Sequence, residues 1–233
     1  MSNSRSTPLL WNYLTGPARW LLLCSLVSLL GYGDVPAQGV LFTDRTTFNA
    51  ALRPVPSPTT ITFSGLTDPF GTGTSPVSVS GVTFTNAESR LFVQPTPIPG
   101  DGQYLWNFDS SYPVGIFLPN GRNAFGADFS GGIEPNASFN ATLTVNLVGG
   151  QTYSYNFSGQ RGLWTFFGVA FPQSITSLIY HDGGQFLPGS HEEMLDNVTF
   201  GVATVPEPHA TVMIACALAI LLRARSRSGL TAL

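Results

Sequence analysis

Lysine is absent from this chain of 233 residues, and all ten of its basic residues are arginine. The absence of lysine excludes P-loop and Schiff-base chemistry, because both depend on that side chain. In residues 38–204 only five arginines stand against eleven carboxylates, so this segment is acidic. An acidic surface argues against nucleic acid as a partner, since nucleic-acid affinity comes largely from the neutralisation of phosphates.

Cysteine is almost absent as well. The two cysteines, Cys24 and Cys216, lie near opposite ends of the chain, and residues 38–204 contain none. That segment therefore has no disulfide, no thiolate metal site and no cysteine nucleophile. Its length is sufficient for one domain with a real hydrophobic core.

Enzyme motifs are also missing. The sequence contains neither the HExxH motif of zinc proteases nor the GxSxG motif of a serine nucleophile. Two local clusters of titratable residues are present, His181-Asp182 and His191-Glu192-Glu193. We interpret them as solvated loop charges, which predicts a protein without catalytic residues.

The first 37 residues have the parts of a secretory signal. Arg5 and Arg19 supply positive charge, residues 20–30 are apolar, and Val35-Pro36-Ala37 offers small residues for cleavage. We therefore expect an exported protein whose signal peptide spans residues 1–37. The alternative is an uncleaved signal anchor.

The C-terminal segment, residues 205–233, combines three features in order. They are a Val205-Pro206-Glu207-Pro208 motif, an apolar run over residues 210–222, and a basic tip of Arg223, Arg225 and Arg227. As a helix the run would be about 20 Å long, against roughly 30 Å for a bilayer core. The positive-inside rule places the arginines in the cytoplasm. The alternative is an ordinary buried C-terminal helix.

This tail resembles a PEP-CTERM sorting signal. The resemblance implies processing by an exosortase near the Pro-Glu-Pro motif, in a Gram-negative type of bacterium that makes exopolysaccharide. It also implies a place in the cell envelope, anchored in the membrane by the C-terminal helix before processing and at the surface or outside the cell afterwards.

Residues 38–204 are predicted to be almost entirely β-structure, since short alternating apolar runs are separated by turn residues. One helix is expected over residues 45–52, capped by Thr43 or Asp44. The expected strands are residues 59–63, 77–85, 91–94, 103–108, 114–118, 124–129, 142–147, 152–158, 163–170, 175–180 and 195–200. This pattern favours a two-sheet antiparallel sandwich, jelly-roll-like, between the signal helix and the membrane helix.

Two of these strands form the clearest predicted hairpin. Residues 142–147 alternate between apolar and polar, and Gly149-Gly150 joins them to residues 152–158. Residues 163–170 are apolar on both faces, which predicts a central strand. The segments 125–129, 166–169, 175–177 and 196–201 resemble the second half of a lectin-like or carbohydrate-binding-module-like sandwich.

Asp196 is the candidate metal ligand. Alternation over residues 196–200 predicts that Asp196 shares a core-facing side with Val198 and Phe200, where a carboxylate is costly unless it is paired. In carbohydrate-binding jelly rolls a similar aspartate often holds a structural Ca²⁺, so the resemblance implies calcium here. The alternatives are that Asp196 caps backbone N–H groups or lies at the solvated end of its strand.

Aromatic residues are the candidate ligand contacts, because sugar rings stack on flat aromatic faces. The candidates are Trp106, Tyr112, Trp164 and Tyr180, and the alternative for each is a place in the core. We therefore expect a non-catalytic protein that binds extracellular polysaccharide or serves as a structural matrix component. The contrasting hypothesis is a polysaccharide-active hydrolase or lyase.

Overall fold

The computed structural model describes residues 39–66, 76–87, 91–95, 102–107, 112–132, 137–182 and 192–205. The predicted signal peptide, the Pro-Glu-Pro motif, the apolar run and the basic tip lie outside these residues. Within the described part of the chain, no helix has the length and apolar character needed to cross a membrane.

The described residues contain one helix and thirteen strands. The helix is α1, Arg45–Ala51. The strands are β1 Val40–Phe42, β2 Thr59–Ile61, β3 Val77–Val79, β4 Val82–Thr85, β5 Leu91–Pro95, β6 Gln103–Asn107, β7 Val114–Phe117, β8 Ala124–Ser130, β9 Ser138–Leu147, β10 Thr152–Gln160, β11 Thr165–Ala170, β12 Ile175–Asp182 and β13 Glu193–Gly201.

These strands form two antiparallel sheets. The seven-stranded sheet has the order β1-β11-β8-β13-β6-β5, with β2 also paired to β13, and the six-stranded sheet has the order β10-β9-β12-β7-β4-β3. Apolar side chains from both sheets fill one core between them, including the stacked rings of Phe157 and Phe167, whose centroids are 4.6 Å apart. The predicted two-sheet sandwich with a single short helix is confirmed.

Alternation explains which side chains reach the core. In β9 the side chains of Leu143, Val145 and Leu147 are buried, as predicted, and the intervening polar residues lie on the outer face. The glycines at 149 and 150 both have positive φ and close the hairpin to β10. Local patterning and turn chemistry are sufficient to specify this pair of strands.

Helix α1 covers part of the outer face of the seven-stranded sheet. Asp44 caps it by accepting a hydrogen bond from the Thr47 N–H at 2.8 Å, which decides between the two predicted caps. Phe48 is fully buried beneath the helix, 5.4 Å from the ring of Phe42 and 5.6 Å from that of Phe166. This packing gives the outer face a second, smaller apolar cluster.

Two features of the strands differ from the prediction. The single strand expected over residues 77–85 is a hairpin, because Ser80 and Gly81 both have positive φ and turn the chain between β3 and β4. Strand β1 was not predicted, and it pairs with β11. Strand β11 is therefore paired on both sides, although it lies next to the edge of the sheet.

Candidate functional site

An aromatic cluster lies on the outer face of the seven-stranded sheet, away from the core. We define it as Phe92, Tyr104, Trp106 and Trp164 together with Met194. The rings of Phe92 and Trp106 are 5.5 Å apart, and those of Tyr104 and Trp164 are 6.0 Å apart. Tyr104 and Met194 are buried at its base, whereas both tryptophans are half-buried.

Strand register explains why these residues meet. Phe92 pairs with Trp106, Trp106 pairs with Met194, and Met194 pairs with Ser130, so one row crosses four strands. Thr165 pairs with Phe129, which places Trp164 next to Ser130 at the end of the same row. Tyr104 shares a face with Trp106 because the two are separated by two positions in β6.

The base of the cluster is strongly desolvated. Burial raises the pKa of Tyr104 to about 12, and the nearby charge of Glu192 adds to this effect. The indole N–H of Trp164 is buried and has no hydrogen-bond partner among the described residues. The cluster therefore combines flat apolar surface with polar groups at its edges.

A charged network adjoins the cluster on the same face. Arg45 of α1 contacts Asp128 at 2.8 Å, and its guanidinium lies 4.6 Å from the centre of the Phe166 ring. The same side chain donates to the Asn197 carbonyl at 3.0 Å, and the Asn197 amide donates to Asp128 at 2.9 Å. These contacts attach the helix to the centre of the sheet.

The predicted orientation of Asp196 is wrong. Asn197 has a φ of 48°, and between Asp196 and Thr199 the register of β13 against β8 shifts by a β-bulge. Val198 and Phe200 lie in the core, but Asp196 pairs with Asp128 on the outer face. The bulge inserts one residue and so breaks the strict alternation on which the prediction rested.

The calcium site at Asp196 stays a prediction, and one contact that the structure gives this carboxylate is with the backbone. Its Oδ1 accepts a hydrogen bond from the Asn197 N–H at 2.7 Å, which agrees with the alternative of backbone capping. The neighbouring carboxylate of Asp128 is already paired with Arg45. Among the described residues, no group of three or more His, Cys, Asp or Glu side chains is arranged to hold a metal ion, although calcium needs several oxygen ligands.

The four aromatic candidates occupy different places. Trp106 and Trp164 both belong to the aromatic cluster. Tyr112 is half-buried before β7, and its carbonyl oxygen accepts hydrogen bonds from Asn86 and Asn107 at 2.8 and 2.7 Å. Tyr180 is fully buried in the core, 4.8 Å from the ring of Phe129, so its position argues against stacking on a ligand.

A second polar group lies between the sheets and corrects another prediction. His181, Asp182 and Glu193 are in strands and not in solvated loops, and both carboxylates are buried. Glu193 accepts hydrogen bonds from Asn107 at 2.7 Å and from the Asp182 N–H at 2.8 Å, and its Oε1 lies 3.2 Å from His181 Nδ1. Arg161, also buried, is 4.0 Å from Asp182.

Sequence reasoning missed Phe92, Tyr104 and Met194. Alternation in β6 carried a signal for Tyr104, since it shares a face with Trp106. Phe92 and Met194 carried none, because their contribution depends on the order of β5, β6 and β13 in the sheet.

The comparisons with known proteins give structural likeness only. No family model matches the chain, and no curated protein matches it. Among solved structures, the C-terminal family 22 carbohydrate-binding module of Clostridium thermocellum Xyn10B is 14% identical, with a TM-score of 0.42, covering 64% of this chain and 95% of that one. The K2 cleaved adhesin domain of Lys-gingipain is 11% identical, with a TM-score of 0.42, covering 62% and 99%. TmCBM61 in complex with β-1,4-galactotriose is 12% identical, with a TM-score of 0.37, covering 52% and 88%.

Proposed function

We propose that this chain is an exported, non-catalytic protein that binds polysaccharide through its aromatic cluster. The observation that carries the proposal is the row of rings on the outer face of the seven-stranded sheet, with both tryptophans half-buried. Sugar rings have apolar faces, and flat aromatic side chains offer them contact area at low entropic cost. A row across several strands suits an extended ligand better than a compact one.

The buried carboxylates favour binding over catalysis. A hydrolase that uses two carboxylates needs them about 5–9.5 Å apart across an open cleft. Asp182 and Glu193 are each at most 1% exposed and lie between the sheets. These two groups are therefore not placed to reach a polysaccharide, which weakens the alternative of a hydrolase or lyase.

The binding proposal is tested with Trp106→Ala and Trp164→Ala in the full chain. Phe117→Ala is the matched control, because that ring is 46% exposed on the outer face of the other sheet. Migration is measured in native gels that contain exopolysaccharide from the organism that encodes the chain. Each tryptophan variant should bind at least about tenfold more weakly, a loss of about 1.4 kcal/mol, and the control should bind like the wild type.

Two results would contradict polysaccharide binding. One is a wild-type protein that the polysaccharide does not retard, which would favour a structural matrix role instead. The other is an equal loss in all three variants, which would place the binding elsewhere. Circular dichroism of each variant separates lost binding from lost folding.

We also propose that the tail, residues 205–233, directs the protein to an exosortase. The sequence supports this through the order of the Pro206-Glu207-Pro208 motif, the apolar run and the arginines. Mass spectrometry of the protein recovered from the cell surface should give a C-terminus near this motif. Alanine at all three motif positions should leave the tail attached, and a wild-type protein recovered with its tail intact would contradict the proposal.

A further inference from the structure

Strand β10 is an unusually long sheet edge for this protein. Among the described residues, five strands are paired on one side only: β1, β2 and β3 have three residues each, β5 has five and includes Pro95, and β10 has nine. All nine residues of β10 pair in continuous register with β9. On its other side, no strand from the described part of the chain is paired with it.

This edge lacks the features that normally prevent pairing between molecules. Natural edge strands are protected by lysine, proline, charge, bulges or short length. Strand β10 contains no charged residue and no proline, and neither does β9 beside it. Because the whole segment 38–204 is acidic, the uncharged edge is a surface where two copies can approach with little like-charge repulsion.

The direction of the free backbone groups follows from the register. The Leu147 N–H donates to the Gln151 carbonyl at 2.9 Å, which makes these two residues a hydrogen-bonded pair. Hydrogen-bonded and non-hydrogen-bonded pairs alternate along an antiparallel ladder. The residues that direct N–H and C=O groups away from β9 are therefore Thr152, Ser154, Asn156, Ser158 and Gln160.

We propose that β10 pairs antiparallel with β10 of a second copy of this chain, about a two-fold axis at Asn156. In this arrangement Asn156 faces its own counterpart, and Ser154 faces Ser158 of the second copy. About ten backbone hydrogen bonds then join the molecules, and the two six-stranded sheets become continuous. A two-fold contact uses the same surface on both copies, so the assembly closes at a dimer.

Side chains on both faces of β10 suit this partner. On the outer face, hydroxyl and amide groups already form cross-strand hydrogen bonds with β9: Thr142 with Asn156 at 2.9 Å and Thr144 with Ser154 at 3.0 Å. A second β10 extends this ladder of neutral groups. On the inner face, Tyr155 and Phe157 are only half-buried. In the dimer, Tyr155 would face Phe157 of the second copy, and Phe157 would face its Tyr155.

The test compares Asn156→Lys with Asn140→Lys in the full chain. Both asparagines are exposed on the outer face, but Asn140 lies in β9, one strand away from the edge. Association is measured by sedimentation velocity in the same mild detergent for every protein. The wild type should form dimers, Asn156→Lys should weaken dimerisation at least about tenfold because two lysines face each other, and Asn140→Lys should change it little.

A mixing experiment tests the position of the two-fold axis. Asn156→Lys and Asn156→Asp should each dimerise poorly alone, and a mixture of the two should form mixed dimers because lysine then faces aspartate. The proposal is overturned by a wild type that stays monomeric at about 100 µM, by equal effects of the two lysine variants, by assemblies larger than dimers, or by no recovery in the mixture. Circular dichroism confirms that each variant is folded.

Discussion

Replacing Glu193 with glutamine tests the polar group between the sheets. The carboxylate is fully buried and accepts hydrogen bonds from Asn107 and from the Asp182 N–H, with His181 in contact. A glutamine of the same shape keeps one oxygen and replaces the other with an NH₂ group. Whichever way the amide lies, its NH₂ faces a buried donor that the carboxylate previously satisfied.

Rotation of Asn107 cannot relieve this conflict. Its amide N–H₂ also donates to the Tyr112 carbonyl at 2.7 Å, and its oxygen accepts from Asn86 at 2.9 Å. Turning the amide would break both contacts. A buried donor left without an acceptor costs about 1–3 kcal/mol, so Glu193→Gln should lower the free energy of unfolding by about that amount at pH 8.

The free energy of unfolding that Glu193→Gln loses relative to the wild type should be larger at lower pH. Burial raises the pKa of Glu193 above 4.5, and the hydrogen bond that His181 donates to Glu193 raises the pKa of His181 above 6.5. A raised pKa contributes stability that is fully present below the unfolded pKa and is lost as pH rises through the folded value. The wild type should therefore lose stability between about pH 5 and pH 8, and the variant should lose less.

Urea denaturation of both proteins at pH 5.5 and pH 8, followed by tryptophan fluorescence, measures these differences. Glu192→Gln is the control, because this neighbouring carboxylate is only half-buried and precedes β13. It should have a small effect at both pH values. Equal losses for the two variants, or a wider gap between wild type and Glu193→Gln at pH 8 than at pH 5.5, would refute the reasoning.

Two other substitutions test the packing of α1 on the sheet and the buried hydrogen bonds that Asn123 makes to Phe171 and Ala203. Phe48→Ala should destabilise the protein by about 3–5 kcal/mol, because the removed ring is fully buried between α1 and the sheet; a loss below about 1 kcal/mol in urea denaturation would show that the helix contributes little. Asn123→Ala should cost about 1–3 kcal/mol, because its buried amide donates to the Phe171 carbonyl at 2.6 Å and accepts from the Ala203 N–H at 2.7 Å. An unchanged thermal midpoint for this variant would contradict that role.

Patterns among residues that are close together in the sequence predicted the parts of the fold that form locally. The β9–β10 hairpin follows from alternation and two glycines, and α1 follows from an aspartate cap before an apolar side. The turn at Ser80-Gly81 was missed because the β-forming residues on both sides of it suggest one strand, although Ser-Gly is a dipeptide typical of turns. A serine with positive φ is uncommon, so the conformation of Ser80 itself is not predicted by its residue type.

The aromatic cluster could be predicted only in part. Trp106 and Trp164 were chosen for their residue type, which is a local property. Their proximity depends on a sheet order in which β11, β8, β13 and β6 are neighbours, although these four strands are far apart in the chain. The same long-range order brings His181 and Glu193 together, so charges that suggest solvated loops become a hydrogen-bonded group in which Glu193 is buried and His181 is partly exposed.

The bulge at Asn197 explains why alternation failed in β13 while the strand still packs well. Leu195, Val198 and Phe200 all lie in the core, yet no strict period of two can bury the first together with the other two. An extra residue between Asp196 and Thr199 lets both halves of β13 direct apolar side chains into the core, since it reverses the alternation of faces after the bulge. Met194 and Asp196 consequently share the outer face, where Met194 completes the base of the aromatic cluster. The bulge therefore explains the error at Asp196, whereas the omission of Met194 also follows from the sheet order that places β13 beside β6.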